Sequence, residues 1–360
     1  MIRVILEGLV KRFGKVNALD GATLDVRPGE LTVVLGPGES GKTTLARAIV
    51  GLETLDEGEI YFDGRVMHDQ PIARRKVGLV PQGSALWPHW SVAENVAHGL
   101  RLRGTARRER RTRVSEVMSA VGIDSLADQR PDSLSDLQRR RVALARALAI
   151  EPDLLVLDDP FHGLDGRARG EFRDEIRARA VEAEVTTLIL TSDAADALAI
   201  ADRLAVLDLG RIIQSGPPPE VYNQPLDAFV ARLLGPANLI HGQIEALDAR
   251  GDAVVRTPLG RLVGRCRLAA PPQGMPVTLC IRPEALGIGP VPTGANRFTA
   301  TVERQVFLGT TRELHLRGPG DWPVVARALQ TQSSGIREGQ TLSVSVNPDA
   351  VVILPGKYAV

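Results

Sequence analysis

Lysine is scarce in this chain. Only five of its 44 basic residues are Lys, so a Lys in a glycine-rich setting draws attention. Cysteine is scarcer still: Cys266 and Cys280 are the only two, and their spacing is neither a CxxC pair nor a zinc pattern. A disulfide framework is thereby excluded and a reducing, cytoplasmic setting is expected. No apolar run approaches the ~18 residues that read as a membrane span. The start, MIRVILEGLVKRFGK, scatters charges through a short apolar stretch with no small-residue cleavage site, so it does not read as a secretory signal. Nor is one sign of charge in excess. Lys and Arg total 44 against 43 acidic residues, which argues against a dedicated nucleic-acid binder. What is present is 44% hydrophobic and 24% charged residues over 360 positions, enough for one or two globular domains.

The chain changes character near residue 216. Before it, the runs LTVVLG, KVGLV, LLVL, TTLIL and RLAVLDL alternate with helical patterns, which predicts an α/β domain with a mainly parallel sheet. Residues 91–150 interrupt that alternation with helix-rich sequence, read as a helical insertion. The Arg-rich stretch RLRGTARRERRTR at 101–113 has no aromatic interleaving and reads as a solvated helical face. GPPPEVYNQP at 216–225 reads as a connector. From about 241 onward, short β-type segments separated by Gly and Pro turns predict a small barrel or two barrel halves.

The strand LTVVL runs into Gly36-Pro37-Gly38-Glu39-Ser40-Gly41-Lys42-Thr43-Thr44, followed by helical LARAIVGL. This is the G-x-x-x-x-G-K-[ST] phosphate loop in its strand–loop–helix context. Backbone N–H groups curl around phosphate oxygens, and the following helix directs its positive end at them. In that geometry Lys42 reaches the β- and γ-phosphates, Thr43 ligates Mg²⁺, and Thr44 adds a phosphate contact. LLVLDD then supplies Asp158, a second Mg²⁺ group at the carboxyl edge of the sheet. The fold class expected is therefore an α/β P-loop NTPase followed by an all-β, barrel-like domain.

Further elements, in order, make the chain resemble the ATP-binding subunits of ATP-binding-cassette (ABC) importers. Gln82, in GLVPQGSALWPHWSVAEN, matches the family's Q-loop, LSDLQ at 134–138 its LSGGQ signature, and Leu164-Asp165 its D-loop. Phe13 stands where an aromatic residue stacks on adenine, a core phenylalanine being the lesser alternative. SGPPPEVYNQPLDAFVARLLGPANLI, IRPEAL and VFLGTT look like the connector and barrel segments of a C-terminal TOBE domain. The resemblance implies an ABC nucleotide-binding domain over 1–235, with a helical subdomain at about 84–150, and an OB-like, TOBE-type β-barrel over 236–360. It implies ATP and Mg²⁺ bound by Phe13, Gly36, Gly38, Gly41, Lys42, Thr43, Thr44, Gln82 and Asp158, with Ser135, Gln138 and Asp165 acting across a dimer. It also implies membrane permeases, a second ATP-binding subunit, identical or not, and indirectly a solute-binding protein. The location implied is the inner face of the cell membrane.

Three departures fall on the residues implied to carry out hydrolysis. Asp159 replaces the Glu that serves as general base, setting the carboxylate back by roughly 1.5 Å, and misplacement on this scale can slow a reaction about a hundredfold. Ser192, in Thr191-Ser192-Asp193, replaces the switch histidine and cannot become cationic. Asp136 and Leu137 replace the signature glycines that let backbone approach the partner's γ-phosphate. His162 reads as an interface or surface histidine rather than a substitute for the switch. The expectation is a transport ATPase with impaired turnover. A non-hydrolysing regulatory or structural subunit of a heterodimeric transporter is the alternative. A soluble ABC protein acting on nucleic acid fits neither the single nucleotide domain nor the balanced charge.

Overall fold

The amino-terminal strands β1 (Val4–Phe13) and β2 (Val16–Val26) form an antiparallel pair, and β4 (Glu57–Phe62) pairs on the other side of β1. With the short β5 (Arg65–Val66) they make a four-stranded sheet in the order β2-β1-β4-β5. The parallel pattern expected from the apolar runs does not include this sheet, whose strands bury only part of their length. The computed structural model describes residues 1–67, 70–248, 251–268, 271–289 and 294–356. They divide into two compact units, Met1–Pro219 and Glu220–Val360.

The second sheet of the first unit holds the motifs. It contains β3 (Leu31–Leu35), β6 (Val77–Val80), β7 (Leu154–Asp158), β8 (Thr186–Thr191), β9 (Arg203–Asp208) and β10 (Arg211–Gly216), in the order β10-β9-β3-β8-β7-β6. All pairs are parallel except β9–β10. Every residue of β3, β7 and β8 is buried, as strands covered on both faces must be. Helix α1 (Lys42–Val50) follows β3, and its Leu45, Ile49 and Val50 join Leu154, Leu188 and Leu207 in one core with the first sheet.

Between β6 and β7 lie α2 (Val92–Leu102), α3 (Arg107–Ala120) and α4 (Asp136–Ala149), the expected helical insertion. Ser91 and Ser135 begin α2 and α4 with reciprocal capping boxes, using Glu94 and Gln138 three residues on. Helices α5 (Gly166–Glu182) and α6 (Ala194–Ile200) complete this unit.

The division between units falls within α7 (Pro218–Asn223), where the sequence suggests a plain connector; α8 (Ala228–Leu233) follows. The strands β11 (Asn238–Leu247), β12 (Ala253–Thr257), β13 (Gly260–Cys266), β14 (Pro276–Ile281) and β20 (Val351–Pro355) close into a barrel in which β13 and β20 pair in parallel. A further sheet runs β15-β19-β16-β17-β18, built from Leu286–Ile288, Thr341–Val346, Asn296–Phe307, Thr311–Arg317 and Pro323–Leu329, with the one-turn α9 (Gln330–Ser333) after β18. Ile240, Val255 and Leu279 of the barrel share a core with Val302, Leu314 and Val344 of that sheet. Among the described residues, no helix is long and apolar enough to cross a membrane.

Candidate functional site

The loop after β3 is shaped by close approach. A Cβ on Gly36 would collide with the Leu207 carbonyl oxygen and Ser40 Oγ, and one on Gly41 with the Ala18 carbonyl oxygen. Gly41 also has φ 103°, outside the range comfortable for other residues. Gly38 meets no such crowding, so its contribution is an unobstructed backbone. Gly41 stands at the N-cap of α1 with no side-chain cap, so the first-turn N–H groups of that helix are free to bind an anion.

Lys42 Nζ donates to Gly36 O at 2.8 Å, to Pro37 O at 2.6 Å and to Ser40 Oγ at 3.3 Å. Its ammonium is thus held over the loop it follows. Burial lowers the Lys42 pKa, against the opposing pull of Asp159 and Asp158. Asp158 ends β7 and is 6% exposed. Burial raises its pKa, a hydrogen bond with Thr43 opposes the rise, and Asp159 adds to it. The site therefore joins one buried carboxylate and one hydroxyl, all-oxygen chemistry of the kind Mg²⁺ takes alongside phosphate oxygens. Thr44 lies half-buried in the same first turn.

Asp159 follows with φ 49° and donates its N–H to Leu190 O at 2.8 Å, which fixes its backbone against β8. Gln82 Nε2 lies 3.4 Å from Asp159 Oδ2. The loop that presents Gln82 is strained and braced. Gly83, Ser84 and Ala85 all have positive φ, and Arg146 of α4 donates to Ser84 O and Ala85 O at 2.8 Å each. Burial pushes the Arg146 pKa down to about 10. Ser192 is exposed just beyond β8, where Gly36 N–H donates to Thr191 O at 3.2 Å. Ser192 thus follows a residue that is bonded to the phosphate loop.

Gly36, Gly38, Gly41, Lys42, Thr43, Thr44, Gln82, Asp158, Asp159 and Ser192 all meet at one edge of the sheet. The other predicted residues do not join them by any contact among the described residues. Phe13 is 49% exposed at the end of β1, with Lys11 Nζ 5.2 Å above its ring; the core alternative for this residue is therefore out. Ser135 and Gln138 bond each other's backbone as the cap of α4. Asp165 caps α5 through Arg167 and Ala168 N–H groups.

Two residues that hold the site in shape carry no sequence signal of their own. Asn95, fully buried in α2, accepts from Trp87 N–H at 2.9 Å and sets its amide 3.0 Å from Ser91 O, pinning the segment after Gln82. Arg140, buried in α4, donates to His162 O at 2.9 Å. Nothing in the run Arg139-Arg140-Arg141 distinguishes the one that turns inward.

Known proteins resemble this chain in sequence and in fold. A family model described as ABC transporter matches residues 19–162 and one described as TOBE domain matches residues 279–354. The sulfate/thiosulfate import ATP-binding protein CysA of Ralstonia nicotianae is 38% identical over 94% of this chain and 92% of its own. The Fe(3+) ions import ATP-binding protein FbpC of Streptomyces avermitilis is 39% identical over 98% of each. Among solved structures, the post-hydrolysis dimer of the ATP-binding cassette MJ0796 bound to ADP and Pi superposes with a TM-score of 0.54 at 28% identity. It covers 60% of this chain and 98% of that one. Relatives 38–39% identical over nearly the whole of both chains, together with the two family models, show that the chain belongs to the ATP-binding subunits of ABC importers, transport ATPases of the P-loop fold with a C-terminal TOBE domain.

Proposed function

We propose that this subunit binds Mg-ATP and hydrolyses it slowly to energise solute import through partner membrane permeases. The observation that carries this reading is the pair Asp136–Arg139, set where the family's signature offers bare glycine backbone to the ATP held by a second subunit. Asp136 places an anion on that approach, and Leu137 adds bulk. The carboxylate of Asp159 and the hydroxyl of Ser192 weaken the base and the switch at the same time.

Gly36, Gly38, Gly41, Lys42, Thr43 and Thr44 hold the phosphates, and Phe13 stacks on adenine. Thr43, Asp158 and Gln82 would hold Mg²⁺, which would neutralise phosphate charge. Asp159 takes the proton of the attacking water, with Gln82 and Ser192 assisting. Ser135, Gln138 and Asp165 act on the partner's nucleotide.

The subunit works at the inner face of the membrane as half of a dimer, with a solute-binding protein delivering cargo to the permeases. Its relatives' names span sulfate, iron and polyamines, so the permeases rather than this chain select the solute. A mixed dimer with an intact subunit suits the departures best, because each composite site then inherits only part of the damage. The second reading, a subunit that closes on ATP without hydrolysing it, is favoured by the same Asp136. Measured ATP affinity alongside single-turnover hydrolysis separates the two. Tight binding with hydrolysis only in the presence of partners supports the first, and tight binding with none in any complex supports the second.

A further inference from the structure

The turn between Asp159 and α5 brings an imidazole to the end of β7. His162 Nδ1 stands 3.7 Å from Asp159 Oδ2, the same oxygen that Gln82 approaches at 3.4 Å. Among the described residues, no hydrogen bond reaches Asp159 Oδ1. The main chain of His162 is secured at both ends: its N–H donates to Asp159 O at 3.4 Å, and its carbonyl accepts from Arg140 Nη2 at 2.9 Å. Burying Arg140 is unfavourable, and among the described residues its Nη1 has no partner. A histidine kept only as a solvated surface residue calls for no buried cation beneath it. Its ring is 68% exposed, so a shift of under ~1 Å brings Nδ1 within hydrogen-bond reach of the carboxylate.

We propose that His162 is a positioning residue for Asp159: its imidazole N–H, with the Gln82 amide, holds Oδ2 so that Oδ1 is the oxygen presented to the attacking water. This rests on the reading of Asp159 as the base. The backbone of Asp159 is already fixed against β8, so what remains free is rotation of the carboxylate about its own axis. A base one methylene short loses most when its oxygens exchange places, because reach and angle must then be right together. With Oδ2 held, the water oxygen bonds the γ-phosphorus as one water proton passes to Oδ1. The bond from that phosphorus to the leaving diphosphate breaks, and its electron pair goes to ADP. The hydroxyl of Ser192 makes no contact with Asp159 among the described residues, so it does not duplicate this hold.

The test begins on the full-length, nucleotide-free chain. At a pH where the ring is neutral, two-bond ¹H–¹⁵N spectra should show His162 mainly as the Nδ1–H tautomer, since the group facing a ring nitrogen decides which one carries the proton. Asp159→Ala should shift it toward the Nε2–H form. The peak lost in His162→Asn assigns the signal. In single-turnover hydrolysis with magnesium, measured in a mixed dimer whose partner subunit lacks its own general base, His162→Ala should lower the rate constant roughly tenfold with ATP affinity unchanged. His162→Asn should recover most of the rate, because its Nδ2 can take the place of Nδ1. A tautomer indifferent to Asp159→Ala overturns the proposal. So does His162→Ala hydrolysing at the wild-type rate while Asp159→Asn is inactive, a result that leaves the base assignment standing. Asp159→Asn at the wild-type rate overturns both.

Discussion

Asp136 and Arg139 face each other across the first turn of α4, with Arg139 Nη2 2.5 Å from Asp136 Oδ1. The guanidinium holds the Asp136 carboxyl below its ordinary range, chiefly through that hydrogen bond, and also donates to Leu134 O at 2.7 Å. The side chain that stands in place of a signature glycine is therefore an anion in a set geometry. It stabilises its own helix N-terminus, and in the proposed dimer it would stand on the approach to a second subunit's phosphate.

Asp136→Gly combined with Leu137→Gly should accelerate hydrolysis in a mixed dimer with an intact subunit, by about tenfold or more. The helix should weaken at the same time, by about 1 kcal/mol for each glycine placed in it. A faster rate together with a lower melting temperature is the expected pair of readings. An unchanged rate would show that the signature does not limit turnover.

Lys42→Ala should abolish Mg-ATP binding, because it removes the cation that the β- and γ-phosphates would meet. Equilibrium binding of a fluorescent ATP analogue checks this. Wild-type affinity in the variant would sink the site assignment as a whole.

Asp159→Glu and Ser192→His should act together. Groups that work as a unit are strongly non-additive, so either change alone should raise single-turnover hydrolysis little and the double variant more than the product of the two. The measurement belongs in a background with Gly at 136 and 137, where the signature no longer masks the gain.

Asn95→Ala should destabilise the first unit by about 2–3 kcal/mol, since it leaves the Trp87 N–H and neighbouring carbonyls without their partner. Urea unfolding should show the loss. The braced conformation after Gln82 should loosen with it, read as faster proteolysis at residues 83–90.

Asp196 supplies a pH prediction. Burial first, and Asp193 next, raise its pKa to about 6, although Arg169 and Arg173 oppose the rise. A carboxyl raised in the folded state binds its proton more tightly there than in the unfolded chain. Its charged form therefore weakens the fold above pH 6, and stability is regained as pH falls from about 6 toward the ordinary value of 3.8. Asp196→Asn should be more stable than wild type at pH 7, and the difference should shrink between pH 6 and 4. An advantage that stays constant across that range would contradict the assignment.

The phosphate loop was legible in the sequence because its chemistry is carried by consecutive backbone groups: Gly36 to Lys42 need only their order to define the cradle. The alternating apolar runs foretold the parallel sheet for the same reason, since period and length are local properties. The amino-terminal antiparallel sheet is not legible in the sequence because β1 pairs with both β2 and the distant β4, and shifts of register break its alternation. His162 illustrates the harder case. Read along the chain it is a surface histidine three residues past Asp159, and only the tertiary structure shows its ring turned toward that carboxylate and the buried Arg140 that holds its carbonyl. Sequence alone determined which chemistry this chain is equipped for, because motif and spacing fix backbone geometry over a few residues. Tertiary structure decided which of three neighbouring arginines is buried, which oxygen of Asp159 is engaged and what braces the segment after Gln82. Those choices depend on packing between residues tens of positions apart, where burial and partner distance, not order along the chain, set the energy.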